Sequence, residues 1–404
     1  MAGAARATHG MEQREVGRQQ VFDTIRAAGR IARIDIARQT SVSPATVTAI
    51  TSELLAAGLI EEIVPEDREG AKRGRPRVAL KIRGAAHLLA GLKIADRAVT
   101  VILVDFEGQT VAEYDQPLPH PVMSPAEMVG LVEAALDGAC KLAGRSRTEI
   151  SGAGVGLSGL IDARNNFVHW SPNLDARNVH LGRMLSEALP CPFFIDNDAN
   201  LVAKAEQLFG EGRNTSDFIV ITIEMGVGMG IVIDNRIYRG ERGCGAEFGH
   251  TKVQLDGALC RCGQRGCLEA YVGDYALLRE ANIRSGAAPE EDLSRLYARA
   301  RRGDAMAQSI LDRAGRMFAM GLANVINIFD PKLVILSGEQ MAYDFLYSEA
   351  VLARVRASVV QVDAPLPEIR IHEWGDLMWA KGAAAYAMEG VSALTIKGLA
   401  TNEA

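Results

Sequence analysis

The sequence has no apolar run near the length of a membrane span and no cleavable apolar leader, which argues against a spanning helix and against secretion. Cysteine is scarce, with six in 404 residues. Together these absences place the chain in the cytoplasm, with no membrane partner, where thiolates more often serve metals than disulfides. A uniform charge is also lacking. The net charge is −6, yet residues 1–83 carry roughly +4 and the remainder roughly −10. A basic head on an acidic body suggests a polyanionic partner for the head alone. With 23% charged and 48% apolar residues, the chain is large enough for two or three domains with proper cores.

What is present concentrates in residues 245–269, GAEFGHTKVQLDGALCRCGQRGCLE. His250, Cys260, Cys262 and Cys267 offer one nitrogen and three sulfurs, the donor set of a closed tetrahedral zinc site. The glycines of C-x-C-G-x-x-G-C let backbone wrap a metal. Such a set leaves no open coordination position, so a structural Zn2+ is expected rather than a Lewis acid. Glu247 and Glu269 bracket the ligands, and a metal that folds this stretch also fixes two hydrogen-bond acceptors suited to a polyhydroxylated ligand. The plainer alternative is a structural zinc with no ligand nearby.

Residues 1–10 read as a disordered start. Over residues 16–28, Val16, Val21, Ile25 and Ala28 recur at helical spacing, and Gly29 stops the helix. A short helix follows at 33–39, and Ser43-Pro44 is an N-cap and N1 pair opening a third helix that ends at Gly58. This is a helix-turn-helix with residues 44–57 as recognition helix. Segments 59–64 and 78–82 read as a two-stranded wing whose loop carries Arg75 and Arg77, suited to a narrow minor groove. The exposed side of the recognition helix offers Thr46, Thr48, Ala49 and Ser52, with Ser43 at the cap, and no Arg or Lys. Thymine-methyl and water-mediated contacts are expected there, and a single head of this size requires a dimer, or a tetramer, on a palindromic operator.

From Leu88 the pattern becomes strands and helices of an α/β body: strands at 89–94, 98–105, 150–157, 193–196, 218–224, 228–234 and 333–336, and helices at 126–143, 199–210 and 306–329. Strands then helices, repeated twice, indicate two lobes. Domains are therefore expected at 1–83 and 84–404, with the zinc motif at 245–269.

The zinc run, together with 195–200 (IDNDAN), 156–162 (GLSGLID), Ser171-Pro172-Asn173 and 226–230 (GVGMG), resembles the ROK family of sugar kinases and winged-helix repressors. The resemblance implies an α/β chain in which a winged helix-turn-helix precedes a two-lobed actin-like ATPase fold. It further implies a sugar held by Asn173, Asn197, Asp198, Glu247, His250 and Glu269, with His250 giving one ring nitrogen to zinc and the other to the sugar. The implied role is a regulator, foremost a repressor of carbohydrate-utilisation genes, similar to those answering to N-acetylglucosamine, glucose or xylose. An ATP-dependent sugar kinase and a regulator captured by a protein partner are the alternatives.

In kinases of this family Asp198 is the general base, and it is present. The kinases' D-x-G-G-T hairpin is replaced by Lys93-Ile94-Ala95-Asp96-Arg97, and their G-T-G-x-G-x-G by 224–230, which starts Glu224-Met225. Phosphoryl transfer depends on positioning and electrostatics around the phosphates. An acid in each hairpin and the lost glycines oppose ATP binding, so a non-enzymatic sugar sensor with a vestigial base is expected.

Overall fold

A computed structural model describes residues 2–63, 78–95, 97–285, 292–360, 365–372 and 377–401. The head comprises α1 (Ala2–Ala28), β1 (Ile31–Ala32), α2 (Arg33–Thr40), α3 (Pro44–Ala56), β2 (Ile60–Ile63) and β3 (Ala79–Ile82). Its strands form an antiparallel sheet in the order β1-β3-β2. Helix α3 starts where the sequence puts it: Ser43 Oγ accepts from Thr46 N at 3.2 Å and Pro44 fills N1. Gly29 and Gly58 follow α1 and α3 in the left-handed region, φ 68° and 70°.

Helix α1 departs from expectation twice. It begins at Ala2, inside the stretch expected to be disordered. Its buried face is Arg18, Val21, Phe22 and Ile25, whereas Val16 is 65% exposed. The spacing is still helical, but a cation sits on the apolar face because Arg18 Nε meets Glu53 Oε2 of α3 at 2.6 Å.

The body continues with β4 (Leu88–Ile94), β5 (Ala98–Asp105), β6 (Thr110–Pro117), α4 (Pro125–Ala143), β7 (Ile150–Leu157), β8 (Leu160–Asp162), β9 (Phe167–Trp170), α5 (Leu181–Ala188) and β10 (Phe193–Asn197). Helix α4 opens on a reciprocal Ser124–Glu127 capping box and closes at Gly144. There follow α6 (Asp198–Phe209), β11 (Phe218–Ile223), β12 (Val227–Ile233), β13 (Arg236–Ile237), α7 (Glu269–Val272), α8 (Asp274–Ser285), α9 (Leu293–Arg301), α10 (Ala305–Phe329), β14 (Leu333–Ser337), α11 (Glu349–Ser358), β15 (Glu368–His372) and α12 (Met378–Thr401).

These elements form two compact units, one of Met1–Ser158, Asn165–Asp196 and Ala383–Ala404, the other of Gly159–Arg164 and Asn197–Gly382. Each holds a five-stranded sheet of the same plan. In the first the order is β10-β7-β4-β5-β6, with β4, β5 and β6 antiparallel and β7 parallel to β4. In the second it is β13-β12-β11-β14-β15, with β11, β12 and β13 antiparallel and β14 and β15 parallel. No helix of the described residues is long and apolar enough to cross a membrane.

The head shares the first unit with the body's first sheet. Arg26, in the last turn of α1, stacks its guanidinium 4.7 Å from the Phe22 ring and 5.2 Å from that of Phe106, and its Nη2 donates to Ser392 Oγ of α12 at 2.7 Å. Burial pulls its pKa down to about 10, with Asp23 and Glu389 opposing. The closeness of α12 also explains Gly154 of β7, since a Cβ there would lie 1.9 Å from the Ala383 carbonyl oxygen.

Removing the carboxylate from a buried ion pair costs more than replacing its cation by an apolar side chain of similar size. Glu53→Ala should therefore destabilise the protein by about 2–3 kcal/mol, below the cost for a fully buried pair because Glu53 retains some solvent contact. Arg18→Met should cost less. Chemical denaturation of both variants checks the order, and a costlier Arg18→Met would contradict it.

Candidate functional site

The side of α3 that the sequence expects to meet DNA is exposed. Ser43, Thr46, Thr48, Ala49 and Ser52 are exposed, while Val47, Ile50, Thr51 and Leu54 pack inward. Thr48 Oγ1 donates to the Pro44 carbonyl at 2.8 Å and Ser52 Oγ to that of Thr48 at 2.9 Å. With those protons used internally, the two hydroxyls are left as acceptors. Arg75 and Arg77 lie outside the described residues.

The metal motif folds on its glycines. Gly263 and Gly266 have φ of 86° and 76°, and a Cβ on Gly266 would sit 1.7 Å from the Gln254 carbonyl oxygen. Cys260 N donates to Gln264 O at 2.8 Å, closing the Cys260–Cys267 loop. The ligand atoms of His250, Cys260, Cys262 and Cys267 all lie within 4.8 Å of one another. Cys262 Sγ is 3.7 Å from Cys267 Sγ, and Cys260 Sγ is 3.7 Å from His250 Nδ1. A disulfide would need about 2.05 Å, whereas tetrahedral zinc with bonds of about 2.3 Å separates its sulfurs by about 3.8 Å. Burial, helped by the neighbouring sulfurs, pushes the Cys267 thiol up to about 11. One imidazole and three thiols at these separations are a donor set that fits Zn2+.

The carboxylates lie against this cluster. Glu269 opens α7; its Oε1 accepts from Tyr275 Oη at 3.3 Å and from Cys260 Sγ at 3.5 Å, and its Oε2 from Val227 N at 3.4 Å. Glu247 precedes the 3-10 turn Phe248–His250. Desolvation pushes its carboxyl up to about 6, Asp198 and Glu269 adding repulsion and His250 opposing. Asp198, Glu247, His250 and Glu269 thus form one electrostatic cluster in the second unit. Asn197 caps α6, its Oδ1 accepting from Ala199 N and its Nδ2 donating to the Gly159 carbonyl, both at 2.9 Å. Asp198 is therefore the first residue of α6, one earlier than expected. Asn173 belongs to the first unit, where it is 2% exposed and donates to the Pro121 carbonyl.

Two neighbours escaped the sequence reading. Tyr275 and Lys252 touch the ligand sulfurs, yet no spacing marks either. A cavity of about 330 Å³ borders Glu247, lined by Met229, Phe248, Val325, Ile328 and Phe329 together with Thr251, Asn324 and Asn327.

The glycine hairpin has a structural explanation of its own. Cβ atoms on Gly228 and Gly230 would lie 2.8 and 2.6 Å from those of Ala199 and Ala203, so both are required for α6 to pack on β12. At the turn, Glu224 N donates to Gly226 O, and Met225 is 43% exposed.

Comparison with known proteins bears on both parts. A model of the ROK family matches residues 89–389, and a winged helix-turn-helix DNA-binding model matches residues 18–61. The xylose repressor of Caldicellulosiruptor bescii is 28% identical over 351 residues, covering 83% of this chain and 86% of its own. The glucokinase of Streptomyces coelicolor is 32% identical over 266 residues, 62% of this chain and 81% of its own. The crystal structure of a ROK family transcriptional regulator, homologous to the E. coli MLC protein, superposes with a TM-score of 0.79 at 25% identity, covering 96% of this chain and 99% of that one.

Replacing Cys260 and Cys262 by Ser removes two of four donors. The double variant should lose its zinc and melt at lower temperature, as elemental analysis and thermal scans will read; a variant retaining full zinc content would refute the metal assignment.

Proposed function

The chain belongs to the ROK family, and from that premise we propose that it is a sugar-responsive transcriptional regulator, foremost a repressor of carbohydrate-utilisation genes. The observation that carries the reading is the union in one chain of an exposed Thr- and Ala-lined recognition helix with a cluster of three carboxylates and an imidazole beside a Cys/His metal set. Carboxylates and amides supply the acceptors and donors that a hydroxylated ring needs, and a site that pairs them rejects analogues lacking a hydroxyl.

In this reading Asp198, Glu247 and Glu269 accept from sugar hydroxyls, with Asn197 and His250 beside them. A structural Zn2+ on His250, Cys260, Cys262 and Cys267 fixes the loop between Glu247 and Glu269. His250 turns Nδ1 toward the sulfurs, which leaves Nε2 for the sugar. Residues 1–83 act as the DNA-binding domain and 84–404 as the sensor. Two copies, or four, bind a palindromic operator in the cytoplasm. The sugar alters operator affinity by no more than its differential affinity for the two states, typically about 1–3 kcal/mol.

The kinase alternative draws on Asp198 at the start of α6 and on the glucokinase likeness. It is opposed by Lys93 where the kinases carry aspartate and by Glu224 at the second hairpin, where carboxylate and triphosphate repel. Asp198 then serves as an acceptor rather than a base.

The test is binding of the purified protein to DNA upstream of its own gene, titrated with free sugars and sugar 6-phosphates. One sugar should release the wild type. Glu247→Ala should bind DNA normally yet need about ten- to a hundredfold more of that sugar, the loss expected of a charged hydrogen bond. A variant responding like wild type would misplace the effector site, and sugar-dependent ATP turnover would favour the kinase.

A further inference from the structure

Lys252 lies two residues beyond the first metal ligand, and its ammonium nitrogen touches the metal loop at three points. It is 2.9 Å from Cys267 Sγ, 2.6 Å from Gln264 Oε1 and 3.4 Å from the His250 carbonyl oxygen. One cation therefore joins the backbone of one ligand, the sulfur of another and a side chain from the loop between the cysteines. Its placement is set by backbone, because Lys252 and Cys267 are paired in an antiparallel bridge.

Charge supplies the reason. When Zn2+ binds, Cys260, Cys262 and Cys267 release three thiol protons and His250 binds neutral. Three thiolates and one divalent ion leave a net charge of about −1 on the cluster. Cys267 is fully buried and Cys260 nearly so, and excess charge in such surroundings is costly unless paired. The neighbouring cations are held elsewhere. Arg261 stacks on the Tyr275 ring at 4.1 Å, Arg265 donates to the Gly257 carbonyl at 3.2 Å, and Arg279 donates to the carbonyls of Leu259 and Ala270.

We propose that Lys252 is the counter-ion of the zinc–thiolate cluster and sets how tightly the protein holds its metal. The ammonium offsets the excess charge of a metal held by three thiolates and an imidazole. A hydrogen bond donated to Cys267 Sγ supports that sulfur as a ligand, so chelators take the metal less easily. The inference rests on the reading of the cluster as a zinc site.

The test uses full-length protein purified with zinc and a chromogenic chelator as competitor, comparing wild type with Lys252→Gln and Lys252→Arg. Glutamine can still donate hydrogen bonds but lacks the charge; arginine keeps the charge in a different shape. Lys252→Gln should weaken zinc about tenfold, the low end for residues behind metal ligands because Lys252 is at the surface. Lys252→Arg should stay within about threefold of wild type. Circular dichroism of both variants saturated with zinc confirms that they fold. Equal affinity of Lys252→Gln and wild type would overturn the proposal, as would equal weakening by both variants, which would make the contact geometric. Wild type that binds no zinc would fail the metal reading itself, a separate result.

Discussion

The placement of one imidazole and three thiols around a point that a cation can occupy is the constraint on which the sensor half depends. The segment from Ala246 to Leu268 has little regular structure beyond one 3-10 turn and two isolated bridges. Its small apolar contribution, chiefly Phe248, Val253 and Leu268, is a weak basis for holding two carboxylates in place. A metal on these ligands would do this directly, because binding energy at such a site is also folding energy. Glu269 then follows the last ligand by two residues and is tied back to Cys260 and Tyr275, while Glu247 precedes the first ligand by three. Acceptor geometry at the site is in this sense inherited from coordination geometry.

The head is anchored by two arginines, Arg18 buried and Arg26 half-buried. Arg18 ties α1 to α3 through Glu53, and Arg26 ties α1 to Phe106 and to Ser392 of α12. Both occupy positions that an apolar pattern would assign to hydrophobic residues or to solvent. An arginine buried in a hydrogen bond is directional where a leucine is not, so α1 is oriented as well as packed. The head is held to the body's first sheet within one compact unit, a short route by which changes in the body can reach α3.

Elements bounded by local chemistry were legible in sequence to within a residue or two. Ser43-Pro44 opens α3, Ser124-Pro125 opens α4, and Gly29, Gly58 and Gly144 follow helix ends in left-handed conformation. The metal set was legible because its glycines and ligands are close in the chain. Features fixed by distant residues were not. Val16 has the right period but faces solvent, since the side of α1 that packs is decided by α3 and Phe106. Tyr275 and Lys252 act on sulfurs through folding of the loop, and the duplicated sheet order emerges only from strand pairing. The glycines of 226–230 show how a motif can have two causes: helix packing demands Gly228 and Gly230 whether or not a nucleotide binds.

The most direct measurement is diffraction from crystals grown with the sugar that releases DNA, recorded on both sides of the zinc absorption edge. The account predicts an anomalous peak bonded to His250 Nδ1 and the sulfurs of Cys260, Cys262 and Cys267, with sugar hydroxyls on Glu247 and Glu269. A disulfide among those cysteines, an absent peak, or a sugar bound away from both carboxylates would contradict it.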